Sequence, residues 1–219
     1  MSRAMDLRLY LVSGDVPLGS DLIDVLEQAA LGGAATIQLR LKGASPAERV
    51  RRAAEAAERL APIGTTFVVN DDIDAALAVE GAGLHVGPDD LHPAAAREAL
   101  GPDRVIGWSL HDLAQLDDAE ALAASDYLAV SPVWPTPTKP DTTAPWGLDG
   151  VRRLRDAVPP EVPLLAIGGI DATNAASVID AGADGICVVS AICAAPDPYG
   201  AAIGLRRVVD AALDERSMR

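Results

Sequence analysis

Three polar side chains alternate with leucines in residues 38–42, which read Gln-Leu-Arg-Leu-Lys. In an extended strand, residues two apart share a face, so Gln38, Arg40 and Lys42 would lie on one side and the leucines on the other. If the leucines pack against helices, the polar side chains point inward, where a guanidinium is costly to bury without an anion. The pattern therefore predicts a diphosphate or carboxylate ligand at this position. The alternative is an internal ion pair with carboxylates of this protein.

Carboxylates follow two consecutive predicted strands, at Asn70-Asp71 and at Asp90. Neighbouring strands lie about 4.8 Å apart, and two facing carboxylates repel each other at that distance. A hard cation relieves this repulsion, and Mg²⁺ is commonly held by one or two carboxylates together with water and substrate phosphate. We therefore predict Mg²⁺ as a cofactor held by Asp71 and Asp90. A helix N-cap role for Asp71 or Asp72 is the alternative, and a contribution of Asp72 or Asp89 to metal binding stays open.

A loop dense in prolines and hydroxyls follows the sixth predicted strand, at residues 131–143. Its four prolines restrict φ, so that Thr136, Thr138 and Lys139 would be presented from a stiffened backbone. A hydroxyl-rich segment with one lysine is suited to holding an anion. The alternative is a proline-rich surface turn in which the threonines are incidental.

Glycines and a hydroxyl occur where the last two predicted strands end, at Gly168-Gly169 and at Ser190. Loops at these positions of a barrel commonly form a phosphate site, because glycines let backbone N–H groups approach the ligand. Two anion sites are therefore predicted. One is cationic and metal-assisted, suited to a diphosphate, and comprises Arg40, Lys42, Asp71, Asp90 and Lys139. The other is suited to a monophosphate and comprises Gly169, Ser190, Thr136 and Thr138.

Apolar runs rich in valine, leucine and isoleucine alternate with alanine-rich segments along the 219 residues. This rhythm predicts repeated βα units and a parallel sheet. Eight units without a composition break predict an α/β fold of the TIM (β/α)₈ barrel type, ahead of an open doubly wound sheet. We expect a single domain over residues 1–219 with flexible ends at about 1–5 and 215–219. The predicted strands are Leu7–Val12, Ala35–Arg40, Thr65–Asn70, Gly83–Gly87, Arg104–Ser109, Asp126–Ser131, Pro163–Gly168 and Asp184–Ser190.

The segments between these strands have helical character, and several start at residues that favour an N-cap: Ser20, Ser45, Asp112 and Thr173. The predicted helices are Asp21–Leu31, Pro46–Leu60, Ile73–Glu80, Pro93–Leu100, Leu113–Ala123, Leu148–Ala157, Asn174–Ala181 and Ala201–Asp214. Polar residues cluster where at least five of the strands end, which is where barrel enzymes place their chemistry. His85 and His111 belong to this rim, and for both a structural role is as plausible as a catalytic one.

The composition excludes several classes of function. A formal charge of −14 argues against a nucleic-acid partner, which would need a basic face. No apolar run approaches the roughly 18 residues of a membrane span, and the N-terminus lacks a signal region. The two cysteines, Cys187 and Cys193, fit free thiols in a reducing compartment, so we expect a cytoplasmic protein without a membrane partner. Barrels of this size often associate, which leaves a homo-oligomer open.

Seven short motifs occur in the order in which one known enzyme family has them. They are Gln38-Leu-Arg40-x-Lys42, Asn70-Asp71 with Asp74, Leu84-His85-Val-Gly87-x-x-Asp90, Ile106-Gly-x-Ser109-x-His111, Pro132-x-x-Pro-Thr136-x-Thr138-Lys139, Ala166-Ile-Gly-Gly-Ile170 and Val189-Ser-Ala-Ile192. With these motifs the chain resembles thiamine phosphate synthase from Leu9 to about Pro198. The resemblance implies a TIM-barrel transferase whose small-molecule substrates are hydroxymethylpyrimidine diphosphate and hydroxyethylthiazole phosphate, and whose products are thiamine phosphate and pyrophosphate.

The resemblance also implies roles for matching residues. It places Mg²⁺ on Asp71 and Asp90, and it makes Arg40, Lys139 and Ser109 the groups closest to the chemistry. The residues implied for the pyrimidine diphosphate are Gln38, Arg40, Lys42, Asn70 and Lys139. Those implied for the thiazole phosphate end are Ser109, Thr136, Thr138, Gly169, Val189 and Ser190.

Three positions depart from the family pattern. Leu41 stands where glutamate is common, Pro88-Asp89 replaces Gln-Glu, and Ser131 replaces a glycine. None of these changes removes an implied ligand, although their effect on activity stays open. Two alternatives remain: a thiazole tautomerase of the same fold, with His111 as its base, and a non-catalytic barrel that binds phosphate ligands.

Overall fold

The fold is a closed barrel of eight parallel strands in a computed structural model that describes residues 5–14, 16, 19–136 and 144–219. Each strand pairs with its sequence neighbours, and β8 closes the barrel against β1. The predicted TIM barrel and its strand order are confirmed. The strands are β1 Leu9–Val12, β2 Thr36–Leu39, β3 Thr66–Asn70, β4 Gly83–Val86, β5 Ile106–Leu110, β6 Tyr127–Val130, β7 Leu164–Ile167 and β8 Gly185–Val188.

Helices follow the strands on the outside of the barrel. In the described residues they are α1 Leu22–Leu31, α2 Pro46–Leu60, α3 Ile73–Ala78, α4 Pro93–Leu100, α5 Ala119–Ala124, α6 Gly147–Ala157, α7 Ala175–Asp180, α8 Ser190–Cys193 and α9 Pro198–Ser217, with 3₁₀ turns at Ala61–Ile63 and Leu113–Asp117. No helix in the described ranges is long and apolar enough to cross a membrane.

Side chains of each strand alternate between two packing layers, as the pleat requires. On β1, Leu9 and Leu11 belong to the large apolar core between strands and helices. Tyr10 belongs to a smaller cluster, which also contains Tyr127 of β6 and Cys187 of β8. A parallel barrel is filled by such inward side chains rather than left as a pore. The smaller cluster therefore forms the floor beneath any ligand at the strand ends.

Two of the four predicted N-caps are wrong. Asp21, not Ser20, caps α1, because its carboxylate accepts a hydrogen bond from the Ile23 N–H at 2.8 Å. Thr173 does not cap α7, because its hydroxyl donates to Asp171 at 2.6 Å. Ser45 caps α2 as predicted.

The predicted helix Leu113–Ala123 is also wrong in its middle, where Asp118 divides it into a 3₁₀ turn and α5. Asp112 caps the turn, and the Asp118 carboxylate accepts from the Ala121 N–H at 2.9 Å to start the second helix. Asp118 favours the N-cap position, and it therefore starts a new helix within a segment whose amino-acid composition had suggested one continuous helix.

The last helix, α9, is longer than predicted at both ends. It begins at Pro198, where Asp197 accepts a hydrogen bond from the Gly200 N–H at 3.0 Å, and it continues to Ser217. An acidic cap followed by proline is a strong start signal, since proline needs no hydrogen-bond partner in the first turn.

Candidate active site

A cavity of about 380 Å³ opens at the carboxyl ends of the strands. That volume falls within the range of small-molecule sites. Each predicted site residue in the described part of the chain lines this cavity, whereas Thr138 and Lys139 lie outside the described residues. The predicted residues in the lining are Gln38, Arg40, Lys42, Asn70, Asp71, Asp90, Ser109, Thr136, Gly169, Val189 and Ser190.

The cationic side of the cavity comes from the segment after β2. The Ser13 hydroxyl donates to the Arg40 carbonyl at 3.0 Å and accepts from the Arg40 N–H at 2.7 Å, which fixes the backbone at this point. Leu39 is buried in the outer core and Leu41 packs against it, so the predicted division of polar and apolar faces is confirmed. Leu41 replaces a family glutamate outside the main cavity. The anchoring Ser13 was missed, because nothing in its sequence context distinguishes it.

The Arg40 guanidinium is available to a ligand, because it is not engaged in an internal ion pair with a described carboxylate. Among the described residues it forms no salt bridge with Asp71 or Asp90, although its charge still lowers the pKa of Asp71 through space. Lys42 lines the same cavity. Two cationic side chains therefore face the cavity, which favours an anionic ligand over the internal pair.

The two predicted metal ligands come together at the ends of β3 and β4. Asp71 adopts φ +60°, a left-handed conformation that is uncommon outside glycine, while its N–H still donates to the His85 carbonyl at 2.9 Å. This turn places the Asp71 side chain close enough to Asp90 for the two carboxyl groups to influence each other. The Asp90 carboxylate also accepts from the Gly87 N–H at 2.8 Å. Backbone geometry therefore holds two acidic groups against each other.

Their environment disfavours two negative charges. Loss of hydration, followed by the hydrogen bond and the charge of Asp90, raises the pKa of Asp71 to about 6, while Asn70 and Arg40 act in the opposite direction. The Asp71 side chain is open at the cavity mouth, but the surrounding protein removes part of its hydration. A cation between the carboxylates would reverse this unfavourable balance.

The donor set fits a hard cation. Asp71, Asp90 and the amide oxygen of Asn70 offer the oxygen ligands that Mg²⁺ prefers. Within the described ranges no cluster of three or more His, Cys, Asp or Glu side chains is suited to a metal. Mg²⁺ often keeps water and substrate phosphate in the remaining positions, so two carboxylates are sufficient.

The open question about Asp72 is answered by its contacts. Its carboxylate accepts from the Ala75 N–H at 3.0 Å as the N-cap of α3 and pairs with Arg49. Neither Asp72 nor Asp89 lines the main cavity. The helix N-cap is therefore Asp72, which leaves Asp71 available to the cavity.

The opposite side of the cavity is built from the loops after β6, β7 and β8. The Val133 N–H donates to the Ile167 carbonyl at 2.8 Å, and the Trp134 N–H donates to the Gly168 carbonyl at 3.1 Å. Gly168 has φ +108°, and a Cβ there would lie 2.6 Å from the Pro132 Cβ. The glycine is therefore required by close contact between two loops.

Gly169 and Ser190 complete this side. Gly169 has φ +66° and its carbonyl accepts from the Asn174 side chain at 2.9 Å. Ser190 begins the short helix α8, which the sequence did not predict. The first N–H groups of a helix have no partner within it and can meet an anion together with the glycine backbone. The sequence predicted Ser190 as a phosphate ligand but as the last residue of a strand, because four residues are too few for a periodic helical signal.

A row of hydrogen bonds crosses the floor of the cavity. Gln38 Nε2 donates to Tyr10 Oη at 2.8 Å, Tyr10 Oη lies 2.9 Å from Tyr127 Oη, and Tyr127 Oη lies 2.9 Å from His85 Nδ1. His85 Nε2 then lies 2.8 Å from Ser109 Oγ. We call these five residues the buried polar chain. Tyr10 and Tyr127 were not predicted as site residues. The protein has three tyrosines, and the signal that was missed is that two of them occupy inward-facing strand positions.

The two rim histidines differ in their position relative to the cavity. His85 lines the cavity and joins the buried polar chain. His111 is not part of the cavity lining, and its backbone N–H donates to Gln115 at 2.6 Å. A proton-shuttling His111, as the tautomerase alternative requires, is not favoured by this position.

Comparison with known proteins indicates the same family that the sequence motifs resemble. Residues 9–192 match the family model described as thiamine monophosphate synthase. The chain is 46% identical to the thiamine-phosphate synthase of Albidiferax ferrireducens, covering 95% of this chain and 94% of that protein. It is 44% identical to that of Chloroflexus aurantiacus, covering 95% of each.

A solved structure agrees in fold as well as in sequence. Thiamine phosphate pyrophosphorylase from Pyrococcus furiosus superposes with a TM-score of 0.82 at 34% identity, covering 94% of this chain and 97% of that one. The barrel, the cavity at its strand ends and these similarities lead to one conclusion: the chain belongs to the thiamine monophosphate synthase family.

Proposed function

We propose that this enzyme condenses 4-amino-5-hydroxymethyl-2-methylpyrimidine diphosphate with 4-methyl-5-(2-phosphooxyethyl)thiazole to form thiamine phosphate and pyrophosphate. The relatives named above carry the names of that activity. The observation that supports it best is that one cavity combines two kinds of anion site. Arg40 and Lys42, with the carboxylate pair, lie on one side, and Gly169 and Ser190 lie on the other.

The cationic side suits the diphosphate of the pyrimidine substrate. Arg40 and Lys42, with Lys139 from the loop after β6, would stabilise the charge that develops on the departing pyrophosphate. Asp71 and Asp90 would hold Mg²⁺, which would supply further neutralisation of the charge on pyrophosphate. Gln38 and Asn70 would orient the pyrimidine end.

The glycine and hydroxyl side suits the thiazole phosphate. Backbone groups at Gly169 and Val189 and the hydroxyl of Ser190 would hold the phosphate, with Thr136 and Thr138 from the neighbouring loop. Ser109, on β5 between the two sides, would contact the reacting rings. Both substrates would then be held in one cavity with their reacting atoms adjacent.

The bond changes need no protein nucleophile. The bond between the pyrimidine methylene carbon and the diphosphate oxygen breaks, and the electron pair leaves with pyrophosphate. The thiazole nitrogen then donates its lone pair to the same carbon, which gives the thiazolium of thiamine phosphate. Preorganised charge and proximity carry such a step, because both act on the transition state without rearrangement of the site.

The direct test is a product assay with purified protein and both substrates, with Mg²⁺ or with a chelator. We expect thiamine phosphate and pyrophosphate in equal amounts when Mg²⁺ is present, and loss of product when it is removed. Tight binding of both substrates without product would favour the non-catalytic barrel. Conversion of a thiazole substrate alone would favour the tautomerase.

Arg40→Ala should separate the two anion sites. Because Arg40 lies on the cationic side, we expect the KM for the pyrimidine diphosphate to rise by about 10- to 100-fold, corresponding to one charge-assisted hydrogen-bonding group. The KM for the thiazole phosphate should change by less than about 3-fold. Steady-state kinetics with each substrate varied in turn measure both values.

The matched control is Arg153→Ala, an exposed arginine on α6. It removes the same charge away from the cavity and should leave both KM values unchanged. An equal rise of both KM values in Arg40→Ala would contradict the division into two sites.

We further propose that the enzyme works in the cytoplasm, because Cys187 and Cys193 are both buried free thiols. Its homo-oligomeric state stays a prediction, and the mass in solution will determine it.

A further inference from the structure

The buried polar chain connects two residues on different strands of the cavity, Gln38 on β2 and Ser109 on β5. Its central members are enclosed: Tyr10 is 1% exposed, Tyr127 is 0% exposed and His85 is 9% exposed. Burial raises the pKa of Tyr10 and of Tyr127 well above the usual range. Both phenols are therefore neutral at any working pH, and each has one hydrogen to donate.

With the Gln38 amide as donor and a neutral His85, these single hydrogens give every bond of the buried polar chain one direction. Tyr10 accepts from the Gln38 amide, so its own hydrogen goes to Tyr127 Oη. Tyr127 has then accepted one hydrogen bond, and its hydrogen goes to His85 Nδ1. A neutral imidazole that accepts at Nδ1 carries its hydrogen on Nε2, which therefore donates to Ser109 Oγ.

At each end of the buried polar chain, the hydrogen-bonding role toward the cavity is fixed. Ser109 accepts from His85, so its hydroxyl hydrogen is directed to a ligand. Gln38 uses its amide N–H₂ on Tyr10, so its carbonyl oxygen is presented as an acceptor. A primary amide is neither a useful acid nor a useful base, and the chain therefore orients groups rather than carrying protons out of the cavity.

We propose that Tyr10, Tyr127 and His85 are positioning residues that hold Ser109 as a hydrogen-bond donor and Gln38 as an acceptor toward the bound rings. The inference rests on the proposed function for its substrates, but the direction of the hydrogen bonds is a property of the substrate-free protein. The chemistry recognised is a planar nitrogen heterocycle with an amino donor and a ring-nitrogen acceptor. An aminopyrimidine has both groups.

The polarity of the chain is measurable without turnover. The protein has three histidines, at positions 85, 92 and 111, so His85→Gln assigns the ring signals of His85 in nitrogen-15 NMR. We expect the Nε2–H tautomer of His85 in the substrate-free wild-type protein. In Tyr127→Phe, which removes the hydroxyl at Nδ1, we expect a mixture of tautomers. An Nδ1–H tautomer in the wild type would overturn the proposal.

Kinetics test whether the chain acts through Ser109. Tyr127→Phe should lower kcat by about 3- to 10-fold, which corresponds to one misdirected hydrogen bond. In a Ser109→Ala background the same substitution should change kcat by less than about 2-fold, because the group that it orients is gone. Full multiplication of the two effects would mean that Tyr127 has only a structural role and would overturn the proposal.

Two further variants keep the test decisive. If Tyr127→Phe fails to fold, His85→Phe removes the ring nitrogen that contacts Ser109, and its effect on kcat should likewise largely vanish in the Ser109→Ala background. Tyr199→Phe, on α9 with 43% exposure, is the matched control and should leave kcat unchanged. If the wild type forms no thiamine phosphate, the proposed function fails, whereas the NMR result still decides the direction of the chain.

Discussion

Asp71→Asn should abolish most of the turnover while making the metal-free protein more stable at neutral pH. Removing one ligand of the proposed cation site should lower kcat by about 10²–10³, the loss typical of one strong charge-stabilising group. The stability effect has the opposite sign, because Asp71 is held against Asp90 and its pKa is raised to about 6. Asparagine also tolerates the φ of +60° found at this position.

The direction in which stability changes with pH follows from the difference in proton binding between the folded and unfolded states. In the unfolded chain an aspartate titrates near its ordinary value of about 3.9. Folding is therefore favoured by protonation of Asp71 below about pH 4, and this contribution is lost as pH rises through about 6. The Asn variant has no such loss. We expect its Tm to match that of the wild type near pH 4 and to exceed it at pH 8.

The difference in stability between the Asn variant and the wild type should be modest, because Asp71 is open to solvent on one side. After allowance for screening we expect about 1 kcal/mol, or about 2–4 °C in Tm for a chain of this size. Thermal melts in a chelator at pH 4 and pH 8 measure it, and added Mg²⁺ should then raise the Tm of the wild type only. Asp103→Asn, at an exposed position before β5, is the control for loss of one negative charge. A variant with normal turnover, or one less stable than the wild type at pH 8, would contradict the assignment.

The site was more predictable from sequence than the details of the helices. The carboxyl ends of all strands in a closed parallel barrel lie on one rim, so counting strands was enough to bring Arg40, Asp71 and Ser190 into one cavity. The polar alternation after β2 then determined which side chains faced inward. Helix boundaries depended on local competition instead, as at Asp118, where one cap divides a helical composition.

The buried polar chain could not be predicted, and the reason is geometric. Tyr10 and Tyr127 are 117 positions apart and meet across the barrel interior. Strand periodicity shows that each faces inward but not which inward side chain it contacts. Tyrosine also counts as apolar in hydropathy patterns, although its hydroxyl must find a partner when buried. Contacts across a barrel depend on register and tilt, which the pattern of one strand does not contain.

Gly107→Ala should be a strongly destabilising small substitution in the barrel interior. Gly107 lies on β5 opposite the tyrosine–histidine contact, and a Cβ there would come within 2.0 Å of Tyr127 Cζ and 2.6 Å of His85 Nδ1. The rings of these two residues are stacked with centroids 5.6 Å apart, and both are enclosed by neighbouring strands. The added methyl group therefore has to displace a ring that has little room to move.

We expect Gly107→Ala to lower the free energy of unfolding by about 3 kcal/mol, at the upper end of the usual cost of overpacking. For a chain of this size that corresponds to a fall of about 6–12 °C in Tm. The matched control is Gly204→Ala on α9, where the added Cβ would have no atom within 4 Å apart from its chain neighbours and the backbone of its own helix. Alanine is the better helix former, so this variant should gain about 0.5–1 kcal/mol. Opposite signs in thermal melts of the two variants are the expected result. A Gly107→Ala protein as stable as the wild type would show that the tyrosine–histidine contact is loosely packed, because a tight contact leaves no room for the methyl group.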